Sequence, residues 1–200
     1  MPPNDSAIEQ REAAVTNPDW EDVQACLHGD ANAYGRLMKR HESQIISQIW
    51  RLCRDRATCE ELVQDVFVEG YFHLSGYRGE APFIRWLRRI ATRVGYRYCK
   101  RTAGRPPHFP IENHDLAAER SDSPDPARAA ALVHALLARL PPKDRLVLTM
   151  FYLEGCGTGE IADRTGWNPG AVKMRASRAR AKLRKIVERE GILEDHTWNL

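Results

Sequence analysis

No apolar run in this 200-residue chain approaches the ~20 residues that a membrane-spanning helix needs, and its opening, MPPNDSAIEQREAA, is polar and acidic rather than leader-like. The expectation is a cytoplasmic protein with no direct membrane insertion. Cysteine is scarce and scattered. Cys26, Cys53, Cys59, Cys99 and Cys156 form an odd set without a C-x-x-C spacing, which argues against a disulfide framework and for reduced thiols. Carboxylates cluster only at 60–61 and 112–115, neither beside a tight His or Cys set, and no glycine-rich phosphate loop follows a strand. The chain therefore reads as no enzyme, with no cofactor and no small-molecule substrate. His41, Cys53 and Cys59 read as separate buried or half-buried side chains, so no metal site is predicted. No internal repeat and no strand pattern emerge, which leaves an all-α fold.

What the chain has is segregated basic charge. The formal net charge is only +3, yet residues 78–105 carry nine basic side chains against Glu80, and residues 173–189 carry eight against Glu188. Residues 112–125 between them are acidic. Two basic patches separated by an acidic stretch suit two contacts with one polyanion.

Taken in order, residues 1–18 lack apolar periodicity and read as a mobile tail. Asp19 is the candidate cap of a helix to His28, and Asp30 of a longer helix to Cys53. Thr58 and Glu61 have capping-box spacing and open a helix to Leu74 with Leu62, Val63, Val66, Phe67, Gly70 and Tyr71 inward. A loop over 75–81 precedes a helix from Pro82 to Lys100, with Phe83, Trp86, Leu87, Ile90, Ala91 and Val94 inward and arginines around the rest. Aromatics beside such a basic face suit opened nucleic acid, where bases stack on rings and guanidinium groups hold phosphates. Phe83 and Trp86 read as core, Tyr77 and Tyr96 as exposed stackers. Residues 102–126, with repeated prolines, read as an extended linker between two helical domains, 19–101 and 127–190, and residues 191–200 as a tail. In the second domain Leu132, Val133, Leu136, Leu137 and Leu140 line one helix, and Leu146, Val147, Met150, Phe151 and Leu153 the next.

Residues 155–185 are the most informative stretch. Glu160 to Thr165 reads as a short helix, Gly166 as a turn residue with positive φ, and Asn168-Pro169 as the cap and first position of a long basic helix. A narrow apolar stripe under a broad basic face suits a recognition helix in the major groove, so the pair reads as a helix-turn-helix.

These blocks together resemble bacterial sigma factors of the extracytoplasmic-function (ECF) type, in the sigma-70 family. The segment EELVQDVF at 60–67 is similar to the family's core-polymerase contact. YRGE at 77–80 with Phe83, Trp86-Leu87 and Ile90-Ala91 is similar to its promoter-melting segment. Leu140-Pro141, Glu160-Ile161-Ala162, PGAVK at 169–173, Arg175 and Arg178-Ala179-Arg180 are similar to its minus-thirty-five reader. The resemblance covers roughly 19–101 and 127–189. It implies that Leu62, Gln64, Asp65, Val66 and Phe67 dock on the clamp of core RNA polymerase. It implies that Tyr77, Arg78, Arg89, Arg93, Tyr96 and Arg97 hold the opened minus-ten strand. It implies that Ala171, Lys173, Met174, Arg175, Ser177 and Arg178 meet the minus-thirty-five element. Promoter DNA, core polymerase and an anti-sigma factor are the implied partners, and the linker would pass near the polymerase active site. The sequence departs from the family at Gly157, Gly159 and Trp167, and at Arg93-Val94-Gly95, where an Asn often follows the arginine. The competing reading is a stand-alone dimeric helix-turn-helix regulator. Without polymerase, the two domains would pack through their DNA-binding faces and mask them.

Overall fold

The computed structural model describes residues 17–104 and 126–189. Of the predicted tail over 1–18, residues 1–16 lie outside the described residues and Pro18 already opens α1; of the predicted linker over 102–126, residues 105–125 lie outside them and Pro126 opens α5; the predicted tail over 191–200 lies outside them, as does residue 190. Eight α-helices are described, with no strand among the described residues: α1 Pro18–Leu27, α2 Ala31–Cys53, α3 Arg56–Phe72, α4 Phe83–Arg101, α5 Pro126–Ala138, α6 Pro142–Leu148, α7 Thr158–Thr165 and α8 Pro169–Arg189. A 3-10 turn, Leu74–Gly76, follows α3, and a π-helical turn, Thr149–Leu153, extends α6.

Several helix starts differ from those predicted, two of them because another side chain caps the helix. Asn17, not Asp19, caps α1 by accepting from the Asp19 N–H, with Pro18 at the first helical position. The Asp19 carboxylate is instead committed to α2, accepting from Arg40 Nη1 at 2.5 Å and lying 3.0 Å from His41 Nε2. Asp55, not Thr58, caps α3, and its side chain accepts from the Thr58 N–H at 2.8 Å. Asp30 caps α2 as expected, accepting from Asn32 N–H at 2.9 Å. The helix α7 begins two residues earlier than predicted, at Thr158. Leu132 and Val133, expected with Leu137 on the apolar face of α5, are exposed, and Leu137 is buried together with His134.

Two apolar cores result. In the first, α1 to α4 enclose Leu37, Ile45, Ile49, Leu62, Val66, Phe83, Leu87 and Ile90. The second gathers Leu140, Leu146, Val147, Met150, Ile161, Val172 and Ala176, and it is completed by Leu52 and Cys99 from α2 and α4. The two halves therefore share apolar burial. A buried guanidinium reinforces the junction. Arg145 Nη2 donates to the carbonyl of Leu52 at 2.5 Å, one of the carbonyls that the end of α2 leaves without an intrahelical partner, and its guanidinium lies 5.6 Å from the Tyr98 ring.

Gly95, the small residue after Val94, has a steric reason. A Cβ there would lie 2.4 Å from Leu52 Cδ1, and Leu52 is fully buried. Gly95→Ala is expected to cost about 1–3 kcal/mol through overpacking despite its better helix propensity, lowering the thermal midpoint by roughly 2–12 °C in a circular-dichroism melt. An unchanged melt would mean that α2 and α4 yield freely at their closest approach.

His134 makes the same junction pH-sensitive. Burial, then repulsion from Arg54 and Arg145, push its imidazole down from 6.5 to about 4. A depressed folded value means that the unfolded chain binds the proton more readily, so stability is complete above about pH 6.5 and declines as pH falls toward 4. The decline amounts to about 3 kcal/mol at its limit. Urea midpoints at pH 7.5 and 5 should differ more for the native chain than for His134→Gln. Equal differences would assign the acid sensitivity to other groups.

Candidate nucleic-acid interface

Local chemistry builds the helix-turn-helix. Gly166 ends α7 at φ 73, Trp167 N–H donates to Thr165 Oγ1 at 3.3 Å, and Asn168 Oδ1 accepts from the Ala171 N–H at 2.7 Å to cap α8. Val172, Ala176 and Ala179 turn inward and seat α8 on the second core. This leaves Ala171, Lys173, Met174, Ser177 and Arg178 exposed along the outer face near the N-terminal end of α8, Met174 at 55%. Five of the six predicted recognition residues thus share one solvent face. Arg175 does not. It is half-buried, stacked 5.0 Å from the Trp167 ring, with Nη1 donating to Asp144 at 3.1 Å. Asp144 is 2% exposed and also accepts from Lys182 at 2.5 Å. Two cations hold that buried carboxylate, so Arg175 braces α8 against α6 and Trp167 packs under it.

On α4 the predicted set separates three ways. Arg78, before the helix, and Arg93 are exposed. Arg97 is tied to Glu69 of α3, and Tyr96 is half-buried against the second core. Tyr77, expected as an exposed stacker, is 5% exposed; its hydroxyl donates to the Ala81 carbonyl at 2.6 Å and its ring packs among Trp20, Phe83 and Trp86. That correction follows from the aromatic cluster, which buries a ring whose polar tip finds a backbone acceptor. Arg89 is engaged by the other half of the molecule. Its Nη2 donates to Asp163 Oδ1 at 2.7 Å and its Nε to the Asp163 carbonyl at 3.0 Å, while Arg85 Nε reaches Asp163 Oδ2 at 3.3 Å. Asp163 stands out to no sequence argument, and Arg85 only as one of the basic residues over 78–105, because their partnership spans the two halves.

The predicted docking segment on α3 also divides. Leu62, Val66 and Phe67 are 1%, 0% and 3% exposed and belong to the first core. Gln64 and Asp65 are exposed. The apolar surface beside them is Val68 at 54%, Tyr71 at 53% and Phe72 at 75%, so Tyr71 is outward rather than in the buried stripe. The signal was available: apolar residues at 68, 71 and 72 make α3 apolar on more than one face, which a surface helix with a single core contact does not need.

Cys53 and Cys59 lie at the α2–α3 corner, and a hydrogen bond from Cys59 holds the Cys53 thiol below its ordinary range. His41 is committed to Asp19 and lies 5.5 Å from Phe83. Among the described residues no three His, Cys, Asp or Glu side chains could hold a metal ion, and no helix is long and apolar enough to cross a membrane.

Two family models match the chain in order: sigma-70 region 2 over residues 37–105 and sigma-70 region 4 over residues 130–183. The RNA polymerase sigma-H factor of Pseudomonas aeruginosa is 27% identical over 181 residues, covering 85% of this chain and 94% of that protein. The ECF RNA polymerase sigma-E factor of Haemophilus influenzae is 26% identical over 177 residues, covering 83% and 93%. Among solved structures, CnrH in complex with the cytosolic domain of CnrY has a TM-score of 0.56 at 24% identity, covering 86% of this chain and 97% of that one. The sigma factor RpoE of Bartonella quintana, in complex with the anti-sigma factor NepR, has a TM-score of 0.50 at 19% identity, covering 78% and 96%.

Proposed function

Because this chain belongs to the sigma-70 family as an ECF-type RNA polymerase sigma factor, we propose that its two halves divide the work of promoter-specific initiation between polymerase docking with strand capture and duplex reading. The protein binds core RNA polymerase and directs initiation at particular promoters; the polymerase supplies the chemistry. The exposed face of α8 supports major-groove reading by Lys173, Met174, Ser177 and Arg178, where phosphate contacts position the helix and a few side chains specify sequence. Arg78 and Arg93, with Arg89 once Asp163 releases it, supply cations for the opened strand. The outward stripe of α3 carries docking on the polymerase: Gln64 and Asp65 give the polar rim, Val68, Tyr71 and Phe72 the apolar centre. Leu62, Val66 and Phe67 act through the fold of that helix. An anti-sigma partner that covers these faces would keep the protein inactive in the cytoplasm.

The observation that carries this reading is the pairing, in one chain, of an exposed recognition face with a separate apolar docking stripe. A stand-alone regulator needs the first and not the second. The test is reconstitution: the purified chain with bacterial core polymerase should form a stable complex and yield transcripts from particular promoters. Tight binding to duplex DNA as a dimer, with no complex with core, would overturn the assignment.

A further inference from the structure

The loop that joins α3 to α4 is fastened at both ends and bare in the middle. At its start Tyr77 is buried, and its hydroxyl donates to the Ala81 carbonyl at 2.6 Å, which closes residues 77–81 on themselves. At its end Pro82 leads into α4, its carbonyl accepting from the Arg85 N–H at 2.9 Å. Between these points Arg78, Gly79 and Glu80 are exposed, and Arg78 is one of the cations of the proposed strand capture. Gly79 has φ 75, a backbone path that residues with a Cβ rarely follow.

The middle of this loop rests on α1. A Cβ at Gly79 would lie 2.9 Å from Cε3 and 3.0 Å from Cζ3 of Trp20, so the six-membered ring of the indole lies directly against the loop backbone. The same indole is 6.0 Å from the Tyr77 ring. Trp20 is 36% exposed and belongs to neither apolar core, so its packing serves the loop rather than the interior. Its own position is fixed from behind. Asp19 accepts from Arg40 at 2.5 Å and lies 3.0 Å from His41, Asp22 accepts from Arg36 at 2.7 Å and from Arg40 at 2.8 Å, and Val23 is fully buried. These contacts clamp α1 on α2, and the indole with it. The helix α1 lies ahead of residues 37–105, the stretch that matches sigma-70 region 2.

We propose that Trp20 is a positioning residue for strand capture: its indole holds the 77–81 loop in one conformation and so fixes the direction from which Arg78 meets the opened minus-ten strand. A loop ordered before binding loses less conformational entropy when DNA arrives. An arginine held at one angle distinguishes neighbouring bases, where a mobile one only follows the phosphates. Trp20 touches the loop and not the strand, so its effect passes through Arg78. This role rests on the strand-capture reading of Arg78 and deepens it.

The experiment uses the full chain reconstituted with bacterial core polymerase, and a bubble-containing duplex library randomised over the opened stretch. Each holoenzyme is scored by its enrichment of the library and by its affinity for the sequence that the native holoenzyme enriches most. Trp20→Ala should flatten the enrichment and lower that affinity by about fivefold, while affinity for core polymerase and the thermal melt of the chain stay near native. Trp20→Phe, whose ring still covers Gly79, should restore most of both. Arg78→Ala should lose about as much as Trp20→Ala, and the double substitution no more than the larger single loss, because the two act on one contact. Enrichment by Trp20→Ala as sharp as the native, or losses that add in the double variant, would overturn the positioning role alone. Equal losses against every library member with a lowered melt and no rescue by Trp20→Phe would overturn it too, as a stability effect. A native holoenzyme that forms and enriches no sequence would instead overturn strand capture by Arg78, and this role with it.

Discussion

Phe72→Ala is expected to weaken binding to core RNA polymerase by about 30-fold or more while leaving the fold intact, the effect of removing an aromatic anchor worth about 2 kcal/mol. Phe72 is 75% exposed on α3, so its ring contributes little to the protein's own core. Phe67, five residues earlier, is 3% exposed, and Phe67→Ala should instead cost about 3–5 kcal/mol of stability through a cavity in the first core. The two substitutions sit on one helix and separate docking from folding. Affinity measured with fluorescently labelled core, alongside urea unfolding of each variant, reads both. If Phe72→Ala retained full core affinity, docking would have to be assigned to another face.

Asp163→Arg should shift the molecule from packed to open and raise its affinity for opened promoter DNA by about tenfold. Arg85 and Arg89 have side chains 60% and 49% exposed, so each pair with Asp163 contributes only about 0.2–1 kcal/mol. Replacing the carboxylate by a guanidinium removes both attractions and sets three cations against one another, for a total near 1–2 kcal/mol, or roughly tenfold in the packed-to-open ratio. The shift remains partial because Leu52 and Cys99 stay buried in the second core and Arg145 still caps α2. Distances between dyes on α1 and α8, with affinity for a bubble-containing duplex, would record the shift. Affinity unchanged from the native chain would show that Asp163 does not gate Arg89.

Much of this protein is legible in its sequence. The helices, the Gly166 turn, the Asn168 cap and the Asp30 cap rest on interactions within a few residues, and local rules of spacing and capping suffice for them. The exposed basic face of α8 is legible for the same reason, since an amphipathic helix shows its solvent side in its own periodicity. The misreadings fall where partners are distant. Asp19 was read as a cap, yet Arg40 and His41 claim its carboxylate from another helix. Tyr77 was read as a free ring, yet an aromatic cluster assembled from three segments encloses it. The resemblance makes Arg175 a DNA contact, yet the buried Asp144, 31 residues away in sequence, holds it.

The sequence by itself determined an all-α chain with two basic surfaces and a helix-turn-helix, because helix periodicity, caps and charge are properties of neighbours along the chain. Only the tertiary structure decided which apolar residues of α3 face outward, that Asp163 ties α7 to α4, and that Arg145 caps the end of α2. Those outcomes depend on contacts between elements, where the burial of one group fixes the partner and exposure of another, and no local pattern encodes them.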